Sequence, residues 1–265
     1  MLKTRIISVI VTLPFMIASL CIGGMPLTIL ILLITFVGLY EYYNAFKNIG
    51  HKPNLLIGYL GTISYHIAIL FNRSYILMFP ILLFIVMLLL FLDVVKKDKS
   101  ILDISITMLG LVHITFMFSM ILFLHKGLYG RAMVWLPFLT AWLSDTFAYF
   151  SGVYFGKNKL CPKISPKKTV EGSLGGIFGS TVFSIIAGIL FKKIGIDIPL
   201  YHYGIIGVLS GITGQIGDLF ASSIKRFCKV KDFGSILPGH GGILDRFDSI
   251  LFTAPTVYFY VKLFL

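Results

Sequence analysis

Apolar runs recur from one end of the chain to the other, each broken by a short stretch of polar residues, glycine or proline. Nine of them have about the 17–25 residues that carry a helix across a ~30 Å hydrocarbon core. They fall at about 5–22, 25–44, 54–71, 75–95, 101–124, 132–155, 173–191, 200–222 and 243–264. Inside lipid every backbone N–H and C=O needs a partner within the protein, so runs of this length predict helices. The expected fold is all-α, a polytopic integral membrane bundle of about nine transmembrane helices. The first run is the one candidate signal peptide, but it is long and no small-residue cleavage site follows, which predicts a retained helix.

Two longer polar stretches, 156–172 and 225–242, interrupt the pattern in its second half. They suggest an N-terminal scaffold of about five lipid-facing spans over 1–130. A catalytic region follows over 131–265 and carries both polar loops. Composition supports the membrane reading: 13% of residues are charged, where soluble domains carry about 25%. Cys21, Cys161 and Cys228 are far apart and lack the spacing of a disulfide framework or zinc site.

The formal net charge is +12. In a soluble protein that would suggest nucleic acid; here it reads as topology. The N-terminus and the loops on its side hold 17 of the 23 Lys and Arg, and the opposite side holds 6. Positive charge in short loops marks the cytoplasmic face, so the N-terminus and both polar stretches are placed there. Juxtamembrane Lys and Arg also attract anionic lipid headgroups, at about 1 kcal/mol each. The aromatic residues, 15% of the chain, suit interfacial anchoring, and no nucleic-acid partner is expected.

The acids carry more chemical information. Seven of the 11 lie between Asp145 and Asp248. Asp145, Asp218, Asp245 and Asp248 stand inside apolar runs or at their mouths, where an ionisable group costs at least ~2.5–3.5 kcal/mol and marks a functional site by default. Asp245 and Asp248 are three residues apart at the start of one helix and share a face. Asp218 lies near the cytoplasmic end of the preceding run. Three converging carboxylates would repel one another unless a cation sat among them, and hard oxygen donors suit Mg²⁺. The stretch "SPKKTVEG" (165–172) offers Lys167 and Lys168, adjacent ammonium groups suited to a polyphosphate. "PGHGG" (238–242) is too glycine-rich for helix and lets backbone approach a ligand closely. Its His240 is a candidate acid or phosphate donor, whereas His51, His66, His113, His125 and His202 read as structural.

The segment "SSIKRFCKVKDFGSILPGHGGILDRFD" (222–248) resembles, over its 27 positions, the signature of phosphatidate cytidylyltransferases. "ISPKKTVEG" and "SDTFAYFSGVYFGKNKL" resemble the same family; before about Trp142 only the hydrophobic character matches. The resemblance implies a homodimeric enzyme of a bacterial inner membrane that makes CDP-diacylglycerol and pyrophosphate from CTP and phosphatidate. Asp218, Asp245 and Asp248 resemble its divalent-metal carboxylates, and a monovalent cation such as K⁺ beside Mg²⁺ is implied. Lys167, Lys168 and Glu171 resemble its nucleotide loop, with Asp145 assigned to the same CTP site. Ser222, Lys225, Arg226, Lys231, Asp232 and His240 belong to the signature around the phosphates, with Lys225, Arg226 and His240 also counted as catalytic. Two other readings compete: a CTP-dependent polyprenol or phytol kinase, which would release CDP, and a cation or proton transporter. Transporter sites lie near the midplane, whereas these acids cluster at the cytoplasmic end.

Overall fold

The computed structural model describes residues 2–71, 80, 84, 86–88, 91, 94, 100–236, 239 and 241–265, with side chains from residue 12 onward. Its helices are α1 (Leu2–Ile22), α2 (Gly24–Lys47), α3 (Leu55–Phe71), α4 (Ile101–Gly110), α5 (Met117–Lys126), α6 (Gly130–Met133), α7 (Leu136–Phe155), α8 (Val170–Lys193), α9 (Leu200–Phe227) and α10 (Leu244–Phe264). A π-helical turn, Leu111–Phe116, joins α4 to α5 into one rod. Eight of the nine expected runs coincide with helix; two thirds of the fourth, 75–95, lies outside the described residues.

Four described rods are long and apolar enough to cross a membrane: Gly24–Lys47, Ile101–Lys126, Val170–Lys193 and Leu200–Phe227. The chain is accordingly an integral membrane protein, and among the described residues its regular structure is nearly all helical. The all-α expectation needs one correction. The polar stretch 156–172 holds an antiparallel hairpin, β1 (Lys159–Cys161) with β2 (Ser165–Thr169). The second polar stretch also begins later than expected, because α9 continues through Lys225 and Arg226 to Phe227.

The chain forms two compact units. The first comprises Met1–Phe123 with Phe227–Arg246, and the second comprises Leu124–Arg226 with Phe247–Leu265. In the first, the buried ring of Tyr43 fills the space that Gly58 and Gly110 leave open, and its hydroxyl donates to the Thr107 carbonyl at 2.8 Å. Ser100 starts α4 with a capping box: its Oγ accepts from the Asp103 amide, and Asp103 accepts in return from the Ser100 amide. Such reciprocal capping satisfies amides that a helix start otherwise leaves without partners.

The second unit has an apolar core of Leu124, Met133, Leu136, Ala187, Tyr203, Ile206, Val257 and Tyr260. Here α7 and α8 run against each other along small residues: a Cβ on Gly175 would strike Ser151, and one on Gly179 would strike the Phe147 ring. Small residues let helix backbones approach closely where lipid provides no hydrophobic drive. The hairpin spans the connection between these two helices, which fixes β2 over their ends.

Candidate active site

The site builds up from the start of α8. Thr169 is its N-cap, extended in backbone, with Oγ1 accepting from the Gly172 amide at 3.1 Å. That cap is packed among Gly152, Gly156 and Gly172. It therefore holds the β2 residues just before it, Lys167 and Lys168, at the mouth of the α7–α8 pair. Glu171 secures the other strand's approach: its carboxylate accepts from the Lys157 amide at 3.0 Å and from Asn158 Nδ2 at 2.9 Å. The nucleotide-loop assignment of Glu171 thus acquires a local role, holding the hairpin in place. Glu171→Ala should speed amide exchange at Lys157 and Asn158, while the midpoint of global unfolding changes little. Unchanged exchange at those two amides would remove this role.

From α9, Asp218 meets that lysine pair. Lys168 Nζ lies 2.5 Å from Asp218 Oδ2, and Ser222, one turn on, donates from Oγ to Asp218 Oδ1 at 3.3 Å. Gly217 explains how α9 comes so close to α10: a Cβ there would stand 2.6 Å from the Asp248 carbonyl oxygen and 2.8 Å from the Phe252 ring. That contact brings Asp248 into Coulombic range of Asp218, Asp145 and the Lys225 ammonium. Two basic side chains, Lys168 and Lys225, stand among three carboxylates.

A cavity of about 350 Å³ opens beside this cluster, lined by Asp145, Tyr149, Lys167, Lys168, Ser173, Gln215 and Asp218 among others. Gln215 is fixed at its wall by a reciprocal pair, accepting from Ser173 Oγ at 2.5 Å and donating to the Ser173 carbonyl at 3.0 Å. Neither residue was singled out by sequence. A glutamine within an apolar run was the available signal, because a buried amide must find partners.

Other expected residues are placed differently. Arg226 Nε donates to the Ile164 carbonyl at 3.2 Å and so braces the hairpin turn. Lys231 and Asp232 are exposed. Asp245 belongs to the first unit, where its Oδ2 accepts from the Phe233 amide at 2.8 Å and the Gly242 amide at 3.0 Å. His240 lies outside the described residues. Among the described residues no three His, Cys, Asp or Glu side chains are grouped as a ligand set for a metal ion. Asp218 and Asp248 are the carboxylates that could hold Mg²⁺ here, since one or two suffice when substrate phosphates complete the sphere.

Sequence reasoning passed over Glu41. It stands in the second apolar run, only 1% exposed, with Oε1 accepting from the Ile243 amide and Oε2 from the Leu244 amide, each at 3.0 Å. The rule that marked Asp145 marks Glu41 equally: an acid inside a membrane run is costly and has a use.

An anionic polyphosphate is the ligand this chemistry fits, and comparison with known proteins agrees. The Cytidylyltransferase family matches residues 3–264, and the chain belongs to that family. It is 35% identical over 272 residues to a phosphatidate cytidylyltransferase of Bacillus subtilis (strain 168), covering 99% of this chain and 98% of that protein. Similar proteins of the same name occur in Rickettsia bellii (strain RML369-C), 36% identical over 81% of this chain and 94% of that one. A third, from Synechocystis sp. (strain ATCC 27184 / PCC 6803 / Kazusa), is 31% identical over 98% and 97%.

Proposed function

We propose that this protein is a phosphatidate cytidylyltransferase, transferring CMP from CTP to phosphatidate to give CDP-diacylglycerol and pyrophosphate. The observation that carries the reading is the Lys168–Asp218 pair beside Asp248 and Lys225, at the edge of a cavity lined by a second lysine, in a chain that belongs to the cytidylyltransferase family.

The chemistry needs little from the protein beyond placement and charge. A phosphate oxygen of phosphatidate attacks the α-phosphorus of CTP; a new P–O bond forms, the α–β bond breaks, and pyrophosphate leaves. That oxygen is already anionic near neutral pH, so no protein nucleophile is required. Transfer of this kind rests on positioning and electrostatic stabilisation. Lys167 and Lys168 would hold the triphosphate. Lys225 would offset repulsion between the two anionic substrates, and Asp145 would line the nucleotide's side of the cavity. Asp218 and Asp248 would hold Mg²⁺, which supplies neutralisation of the polyphosphate when bound; a monovalent ion such as K⁺ is a second candidate there. Asp245 would order the backbone of its own loop through the Phe233 and Gly242 amides, and Lys231, Asp232 and His240 are proposed for the phosphates on the signature alone. The lipid tails stay in the bilayer throughout, which accounts for a transferase made of membrane helices.

The finer topology belongs to the same proposal: about nine spans, a homodimer in a bacterial inner membrane, and the N-terminus and site on the cytoplasmic side. The orientation is supported by the uneven placement of Lys and Arg. A cysteine at Ser235, which is exposed, should take an impermeant thiol reagent only from the cytoplasmic side, with Cys21 and Cys161 replaced. Cys228 adds little background, because burial pushes its thiol up to about 11. Labelling from outside intact cells would reverse the orientation.

Purified protein in phosphatidate-containing bilayers, given CTP and Mg²⁺, should produce a CDP-lipid. Ion flux through the same bilayers without CTP, and no lipid product with it, would favour a transporter instead.

A further inference from the structure

We propose that Glu41 is a positioning residue for this reaction: from within α2 it holds the backbone at the start of α10, the helix on which Asp245 and Asp248 stand. The inference rests on the proposed transferase activity and adds a residue to it from the N-terminal half of the chain.

Helix starts leave backbone amides without partners, and a carboxylate there is favoured by the helix dipole. Glu41 meets that need with both oxygens, one to Ile243 and one to Leu244. The side chain is buried in an apolar helix, where a carboxylate without partners would be costly. Its two amide partners are therefore what keep it there.

The packing around it is equally specific. A Cβ on Gly242 would stand 2.5 Å from Glu41 Oε2, and one on Gly234 would strike Oε1. These two glycines lie flat against the carboxylate, so the close approach expected of Gly242 toward a ligand is made to Glu41. One turn earlier on α2, Gly38 admits the Leu244 side chain, which would stand 3.1 Å from a Cβ there. Asp245 completes the arrangement from the other side through the Phe233 and Gly242 amides. Two carboxylates thus tie down four backbone amides, those of Phe233, Gly242, Ile243 and Leu244, the last of them at the start of the helix that carries both aspartates.

Glutamine at position 41 keeps the shape but turns an acceptor into a donor facing a donor. The full-length Glu41→Gln protein, in the same bilayers, should show amide exchange at Ile243 and Leu244 faster by about tenfold or more, with amides of α8 unchanged. Its kcat should fall by about 10- to 100-fold, since small misplacements cost that much, while KM for CTP stays within about twofold. Glu41→Asp, which keeps the charge but shortens the reach, should recover part of both. Unaltered exchange at 243–244 together with wild-type kcat would overturn the proposal. So would a loss of activity that follows only the fraction of folded protein, with exchange rising evenly across all helices. If Glu41→Gln does not fold, Glu41→Asp decides on the same readouts, and wild-type values for it would count against the role. The exchange measurement needs no substrate, so an inactive wild type would sink the transferase reading alone.

Discussion

Asp248→Asn and Asp218→Asn should each lower turnover by about 100-fold or more, with the protein still folded and membrane-inserted. Each change keeps shape and removes one charge from a cluster that also contains Asp145, Lys168 and Lys225. Charge-stabilising groups of this kind typically contribute factors of about 10²–10³. The residual activity of both variants should require more Mg²⁺, because each lacks a hard oxygen donor. At Asp248, which has no ion pair within salt-bridge distance among the described residues, removing one of several crowded carboxylates also relieves repulsion, so the stability of Asp248→Asn in metal-free buffer should not fall. A structural ion pair behaves in the opposite way, since removing one partner of a buried pair costs about 3–5 kcal/mol. Near-normal turnover of Asp248→Asn with an unchanged Mg²⁺ requirement would end the assignment.

The two adjacent lysines of β2 should separate. Lys168 is paired with Asp218 at 2.5 Å, whereas Lys167 lines the cavity from an exposed position. Lys167→Ala removes a contact to a polyphosphate that is already charged before reaction, so KM for CTP should rise by about tenfold with kcat little changed. Lys168→Ala removes that contact and also leaves Asp218 without its partner beside Asp248. Both kcat and KM should suffer, with a combined loss in kcat/KM of about 100-fold or more. Steady-state kinetics on the two variants side by side decides the matter. Equal effects on KM alone would mean that the Lys168–Asp218 pair has no part beyond binding CTP.

Most of the helical framework was legible because its signal is strong: an apolar run of the right length leaves few alternatives in lipid. The hairpin was not legible. Its strands, "KLC" and "SPKKT", are short and charged and show no alternation of apolar and polar positions that would mark a strand. Lys225 and Arg226 looked like loop residues because the apolar run ends at about 222, but helix propensity and favourable placement of cations at a helix C-terminus carry α9 onward. Asp145, Asp218 and Asp248 were legible as costly acids, and Gly217 shows how two of them are brought near. Asp245 looked the same in sequence, yet its Oδ2 accepts from two backbone amides of its own loop. Glu41 escaped notice because it stands alone in an apolar run, and its partners, Ile243 and Leu244, lie 202 and 203 residues away. Local spacing carries no trace of such a contact.

The central claim is that the α-phosphorus of CTP is the atom attacked, by a lipid phosphate. The most direct test follows two labels through one reaction: CTP carrying phosphorus label at the α or at the γ position, given to purified protein in bilayers containing phosphatidate. The α label should enter the lipid as CDP-diacylglycerol, and the γ label should leave as pyrophosphate in equal amount. Appearance of the γ label on a lipid, with CDP released, would contradict the account and make the protein a kinase.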